Sequence, residues 1–497
     1  MKDFIKLLQA NKQYRKIIRQ LQEGNDCTVN GLWGSSASFF IAALASEQPK
    51  ETKARPRILL VVPSIEEAEE DVEDLKTFLD GHAELFPAGE NIFTNNHENE
   101  GDVLAQRLRI INQIQFGNIY DGNKFDIIVA PIQALLQPVP SPKSITKNIL
   151  CLQRNHEYPR EELVLWLQKH HYQLTSQVEN YGEYALRGGI VDIFPYASDA
   201  PYRIEYFGDE IESIRRFNIE SQQSEQELDS CQILSVDKMY ETNALQSGHE
   251  KTSLVSYLNN YTWIVLKEPA SIEDRARKIL TDANASEGLF TYDEISSQFS
   301  PFVKITLDKL PLAINSNEYT FHVKSADNFP QNIQEIASEF NTVIEAHART
   351  LVFCNNIAEE QRFQEIIHDL PIEIKVPVQP PPTEGGEYFH PLSPRQRGTF
   401  PPPVPLTEGE KGDGERSCGG AEVLQIKKQP ELRIGHLSKG FQFSDIQIAI
   451  LAHHEIFHRY KQRREVKKPI QTRAIDSFLD LKKGDYVVHI SHGIGRF

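Results

Sequence analysis

Cysteine is scarce and scattered: Cys27, Cys151, Cys231, Cys354 and Cys418 stand apart, with no C-x-x-C pair and no metal-ligand spacing. That excludes a disulfide-stapled scaffold and a structural zinc site, and it fits a reducing cytoplasm. No apolar run approaches the roughly 20 residues that a membrane helix needs, so no membrane partner is expected. The opening MKDFIKLLQANKQYRKIIRQLQ reads as one amphipathic helix and lacks the apolar stretch and cleavage site of a signal peptide. Positive charge is in deficit, 53 Lys and Arg against 70 Asp and Glu, which argues against a surface that binds nucleic acid all over. Core-forming residues are plentiful. With 26 Phe and 17 Tyr in 497 residues, the chain has material for about three or four domains.

The first 150 residues read as α/β. An apolar strand at 57–62 ends in Pro63-Ser64, and a helix follows at 65–79. Its acidic run, Glu66, Glu67, Glu69, Glu70, Asp71, Glu73 and Asp74, reads as a solvated face, with an acidic docking patch as the alternative. A second buried strand lies at 125–131 and a helix starts at 132, while 102–115 is also helical in pattern. Apolar strands alternating with helices imply a parallel sheet covered on both faces.

Within this region VNGLWGSSASFFIA, residues 29–42, has the rhythm of a strand, a Gly-rich turn and a helix. That is the setting of the phosphate-binding loop G-x-x-x-x-G-K-[ST]. Set on that pattern, Gly31 and Gly34 keep their places, Ser36 replaces the second glycine and Ser38 supplies the magnesium-binding hydroxyl. Ala37 stands where the lysine belongs, so no point charge is left for the β- and γ-phosphates. Nor does the strand at 127–131 end in an acidic pair. The turn is either a chance Gly-Ser turn or a relic nucleotide loop that no longer hydrolyses ATP.

Residues 184–224 carry the clearest signal. Arg187-Gly188-Gly189 precedes an alternating strand at 190–194, a second alternates over 202–207, and Gly208-Asp209 turns into a third at 210–217. Period-two alternation punctuated by Gly, Pro and Asp marks a small antiparallel sheet with one face in water. On that phase Arg203, Glu205 and Phe207 share a face, and Ile204 and Tyr206 share the other. From pattern alone this is an ordinary meander with a charged side.

The string RGGIVDIFP…PYRIEYFGDEIESIRRF…QQS closely resembles the domain shared by the bacterial repair protein UvrB and the transcription-repair coupling factors. In both families that domain docks onto UvrA. The resemblance implies that Arg187, Arg203 and Phe207 contact UvrA, arginines suiting carboxylates and an aromatic suiting an interface core. On this expectation Arg203→Glu abolishes UvrA binding without unfolding the protein. The resemblance also accounts for the turn at Gly31, because the coupling factors have a UvrB-like domain with a degenerate loop. A functional UvrB would carry an intact loop and a tyrosine-rich hairpin, whereas residues 85–97 contain no tyrosine.

Later segments extend the match. Residues 225–345 are expected to return the chain to the first α/β domain, with helices near 271–280 and 333–340 and a strand at 262–266. Gly435-His436-Leu437-Ser438-Lys439-Gly440-Phe441, followed by Glu455-Ile456-Phe457, resembles a pattern found ahead of the polymerase-binding domain of the coupling factors. His453, His454 and His458 read as surface histidines rather than a metal site. Residues 377–421, rich in Pro, Gly and charge, are expected to be a disordered insertion. A basic linker follows, and LKKGDYVVHISHGIGRF resembles the start of the CarD-like β-barrel with which the family binds the β subunit of RNA polymerase. There Gly493 and Gly495 are expected to permit a tight bend, and the barrel to be truncated.

The expected fold class is α/β: a degenerate P-loop-type parallel-sheet domain with an inserted small antiparallel β-rich (α+β) interaction domain, a further small α/β domain, and a truncated β-barrel start. The expected boundaries are 1–150, 151–240 for the UvrA-interaction domain, 241–345 for the rest of the first module, 346–460 for the small domain, 461–480 for the linker and 481–497 for the barrel start. Expected partners are UvrA and, more weakly, RNA polymerase, with DNA contact weak or indirect. No cofactor is expected for this chain, since ATP and magnesium belong to a motor domain expected beyond it. The expected function is recruitment in transcription-coupled nucleotide excision repair, by a non-enzymatic, cytoplasmic chain. The competing readings are a UvrB-like ATP-dependent helicase or damage-binding protein, and a gene fragment without function.

Overall fold

Strands that read as uninterrupted apolar runs should lie inside a parallel sheet, and here they do. The computed structural model describes residues 1–47, 56–79, 81–89, 100–116, 126–234, 251–282, 288–310, 317–326, 329–330, 333–369, 430–457, 486–489 and 493–496. The strands β1 (Cys27–Asn30), β2 (Ile58–Val62), β3 (Ala83–Leu85) and β4 (Ile127–Pro131) begin a sheet in which β2 and β4 are buried at every position. The chain then leaves it to form β5 (Ile149–Gln153), β6 (Gln173–Leu174), β7 (Glu183–Arg187), β8 (Ile190–Ile193), β9 (Tyr202–Phe207), β10 (Glu210–Phe217), β11 (Ser224–Leu228) and β12 (Ser230–Leu234). It returns with β13 (Trp263–Lys267), β14 (Val303–Asp308) and β15 (Glu318–Thr320). These complete a seven-stranded sheet of order β15-β1-β14-β13-β2-β4-β3, parallel at every pairing. The antiparallel unit is thus an insertion between β4 and β13.

Six strands of the insertion form a sheet of order β11-β10-β9-β8-β7-β6, and β5 pairs with β12 beside it. Its core takes Val191, Ile193, Ile204 and Ile214 from the sheet, Leu163 and Leu167 from the helix Arg160–Lys169, and Leu152, Cys231 and Ile233 from the β5–β12 pair. A third sheet, of order β16-β19-β20-β17-β18, comprises β16 (Val323–Ser325), β17 (Arg349–Cys354), β18 (Glu431–Ile434), β19 (Phe441–Phe443) and β20 (Ile448–Ala452). On one side, residues of the helices Ile333–Ala346 and Ile357–Asp369 cover it. On the other, Phe353, Phe441 and Phe443 join the core of the large sheet, meeting Phe78, Phe39 and Phe321. A last pair, β21 (Tyr486–His489) and β22 (Gly493–Arg496), is an antiparallel hairpin. Among the described residues no helix is long and apolar enough to cross a membrane.

Several expectations need correction. The amphipathic run at the start is two helices, Lys2–Ala10 and Lys12–Gln22, because Asn11 leaves the helical region and its side chain accepts from the amides of Gln13 and Tyr14. The boundary placed at 345 falls at about 322 instead, since β16 pairs with β19 and the helix Ile333–Ala346 packs on the small sheet. Gly493 and Gly495 lie within the β22 ladder opposite His489 and Val487 rather than at a bend. His453 is buried against Phe363 and Phe457 rather than on the surface. Residues 90–97, the 377–421 insertion, His458, the 461–480 linker and Gly484-Asp485 lie outside the described residues.

Candidate docking face and the P-loop-like turn

Glycine sets the geometry of the inserted sheet. Gly188 (φ +60°) and Gly208 (φ +65°) occupy the left-handed region in the two-residue connections of β7–β8 and β9–β10. These turns start the register, a bulge between Ile211 and Ser213 shifts it in β10, and the result fixes which side chains share a face. Arg187, Ile190, Glu205 and Ser213 form one cross-strand row, and Ala185, Asp192, Arg203 and Arg215 the next. Along β9 the side chains of Tyr202, Ile204 and Tyr206 point into the core, while Arg203 and Glu205 are half-buried on the outer face. Phe207, at the end of that outer face, is 78% exposed. An aromatic this open, on a strand whose other face is fully packed, contributes nothing to the core.

The three residues expected to contact a partner fall into two groups. Arg187 is exposed, with one contact from Nη2 to the Ser176 carbonyl at 3.2 Å, and together with Phe207 it leaves its chemistry to solvent. Arg203 is committed inward. It grips Asp192 with two hydrogen bonds (Nε to Oδ1 at 2.7 Å, Nη2 to Oδ2 at 2.9 Å), donates to the Gln222 carbonyl, and stacks 4.5 Å from the Phe217 ring. The bond to Asp192 holds its guanidinium above its ordinary range. Since the Asp192 side chain is only 2% exposed, replacing Arg203 by glutamate would set two carboxylates together in a dry site. Against the expectation that Arg203→Glu spares the fold, this geometry predicts that it destabilises the inserted sheet. Sequence reasoning missed Asp192, which the β8–β9 pairing sets opposite Arg203. Glu205, placed on the outer face by alternation, accepts from Ser213 and pairs with Arg215, partners that alternation does not show.

At the P-loop-like turn, β1 leads through Gly31 (φ +82°) and Gly34 (φ +58°) into the helix Ser36–Ala45, which is buried along its whole length. Ala37 lies in the core. The Ser38 hydroxyl, where a magnesium ligand would be, donates to Asp71 Oδ1 at 2.7 Å. Asp71 in turn holds Lys267 Nζ at 3.0 and 2.7 Å, and Glu67 stands 3.7 Å away. Burial pulls the Lys267 ammonium down, but Asp71, with Glu67 and Asp74, more than offsets this and holds it above its ordinary value. A cation from the end of β13 is thus spent on an internal carboxylate. The space beside Gly31 is also taken: a Cβ there would lie 2.1 Å from the Phe321 carbonyl oxygen. Among the described residues no group of three or more His, Cys, Asp or Glu is placed to hold a metal ion.

Residues 150–239 match the family model described as the UvrB interaction domain, a span that runs from β5 to β12 and contains the whole inserted sheet. The transcription-repair-coupling factor of Bacillus subtilis (strain 168) is 26% identical over 567 residues, covering 99% of this chain and 43% of that protein. The chain is like the amino-terminal part of a transcription-repair-coupling factor. The coupling factor of Escherichia coli (strain K12) is 22% identical, covering 98% of the chain and 43% of its own length. That of Staphylococcus aureus (strain NCTC 8325 / PS 47) is 24% identical over 93% of the chain and 41% of its own. The chain therefore spans about two fifths of the length of the coupling factors it matches.

Proposed function

We propose that this chain is a recruitment module of transcription-coupled nucleotide excision repair, in which the inserted antiparallel sheet docks UvrA. The observation that carries the proposal is the exposed pair Arg187 and Phe207 on the outer face of a domain matched by the UvrB interaction family. Arginine offers a fork of donors to a partner carboxylate, and an exposed aromatic supplies the apolar centre that interface hot spots use. Arg203 takes a positioning role, fixing β8 to β9 so that the outer face is rigid before the partner arrives.

In this reading the seven-stranded sheet is a degenerate P-loop-type domain that holds no nucleotide, the five-stranded sheet belongs to a small α/β domain, and the β21–β22 hairpin begins a CarD-like module that contacts the β subunit of RNA polymerase. Support for an empty nucleotide site comes from Ala37 in the core and from Lys267 bound to Asp71. The module itself needs no ATP or magnesium, acts in the cytoplasm and touches DNA weakly or only through its partners. Displacement of stalled polymerase and translocation on DNA belong to the full-length family.

Calorimetric titration of the chain with purified UvrA tests the docking face. The double variant Arg187→Glu/Phe207→Ser should melt like the parent and lose binding. Unchanged affinity would remove the outer face from consideration.

A further inference from the structure

The acidic helix Ile65–Leu79 was expected to face water, yet Glu70, Glu73, Asp74 and Thr77 form a stripe at i, i+3, i+4 and i+7 that touches one loop, Gly435 to Phe441. Asp74, buried, accepts from the Ser438 amide at 2.7 Å and from the Ser438 hydroxyl at 2.6 Å. Thr77 donates to the His436 carbonyl at 2.6 Å, Glu73 meets His436 Nε2 at 3.2 Å, and Glu70 meets Lys439 Nζ at 3.7 Å. The same loop reaches the P-loop-like turn. There the Ser35 amide donates to the Lys439 carbonyl, the Lys439 amide donates to Ser35 Oγ at 3.1 Å, and the Ser35 and Ser438 hydroxyls lie 3.0 Å apart. Beside Gly34, a Cβ would stand 2.8 Å from the Gly440 carbonyl oxygen. At its far end Gly440 donates to the buried Glu455 of its own domain, while Phe441 packs across on Phe39 of the helix after the turn.

We propose that the turn at Gly34 is a binding socket whose ligand is the Gly435–Phe441 loop of the chain's own small domain, seated where a nucleotide loop would cradle phosphate. The inference rests on the reading above that the turn holds no nucleotide. A phosphate loop offers backbone amides to anionic oxygens and needs a lysine to balance their charge. Here the Ser35 amide meets a neutral peptide carbonyl, so the missing lysine at Ala37 costs nothing. Glycine is needed at Gly34 for the same reason as in a phosphate loop, close approach of an oxygen, but that oxygen belongs to Gly440. The carboxylates of Glu70 and Glu73 complete the selection. They favour a loop bearing Lys439 and His436 and repel a polyphosphate.

Hydrogen–deuterium exchange on the full chain tests the socket, with a fluorescent ATP analogue added in a parallel titration. Gly34→Ala should speed exchange of the Ser438, Lys439 and Gly440 amides by well over tenfold, and Ser438→Ala by roughly tenfold, leaving β8–β10 unchanged. Gly24→Ala is the control, since Gly24 shares a positive φ but nothing lies within 4 Å of its Cβ position. It should leave the loop's exchange as it was. Loop amides no faster in either test variant would overturn the socket. Analogue binding by the unmodified chain would instead overturn the empty-site reading, so the two failures are distinguishable.

Discussion

On the outer face of β7–β9, Phe207 and Arg187 meet solvent; at Gly31 and Gly34 the spaces a ligand could take hold carbonyl oxygens of Phe321 and Gly440. Both regions use glycine turns, cations and carboxylates, and both resemble binding motifs. They differ in where the partners of those groups come from. The sheet face is assembled from four consecutive strands, so its unsatisfied chemistry is local and remains available. The turn is closed by residues far along the chain: Ser35 and Ser438 are 403 residues apart, and Asp74 and Ser438 are 364 apart. Availability, more than residue type, separates an open site from a structural joint.

Four outcomes would break or sharpen that contrast. The largest is expected for Arg203→Glu, which leaves Asp192 buried beside a like charge; thermal melting should show a loss of about 3–5 kcal/mol, centred on the inserted sheet. A melt equal to the parent would move Arg203 into the open group. Next, Lys267→Met strands Asp71 and should cost about 3 kcal/mol in denaturant unfolding while leaving UvrA affinity intact. Phe207→Ser should reverse that pattern. Stability should stay within about 0.5 kcal/mol, and affinity for UvrA should drop by about 2 kcal/mol, or roughly 30-fold.

The last outcome concerns pH and is read as a slope. Burial raises the Asp74 carboxyl from 3.8 to about 7, against hydrogen bonds from Ser35 and Ser438 that lower it. Between those values the folded chain carries a proton that the unfolded chain has lost. Asp74's contribution to stability is therefore full below 3.8 and fades as pH rises through about 7. A protonated Oδ2 keeps its partner by donating to Ser438 Oγ. Melts across this range should show a downward slope that Asp74→Asn flattens, and an unchanged slope would detach Asp74 from it.

Much of the architecture was legible in the chain. β2, β9, β10 and the helix Ile65–Leu79 fall where apolar runs, period-two alternation and period-3.6 patterning put them, because those signals are local. Gly188 and Gly208 announced their turns for the same reason. The helix break at Asn11 was also local, but the cap lay hidden within a continuous amphipathic run. The contacts of Asp74, Asp71 and Arg203 were not legible from composition. An acidic helix face looks the same whether water or a distant loop neutralises it, and an arginine on an outer strand face looks free until its cross-strand carboxylate is counted. Within the candidate site, alternation put Phe207 on its face, and only the fold could add Arg187 to that face and withdraw Arg203 from it.

The insertion of the antiparallel sheet between β4 and β13 has a mechanical consequence. The chain passes from the parallel sheet into the inserted sheet along β5 and back along β12, and these two strands pair antiparallel from Ser230–Gln153 to Leu234–Ile149. A partner pulling on the inserted sheet would tension both strands along their lengths in the same sense. Neither would slide past the other, so the ladder between them is not sheared. The load would be borne by two covalent chains in parallel and delivered next to β2, in the interior of the parallel sheet. The ladder between β5 and β12 is thus loaded along its strands, as a two-stranded rope is, while Tyr196 and Ala197 brace the insertion against the core of the body.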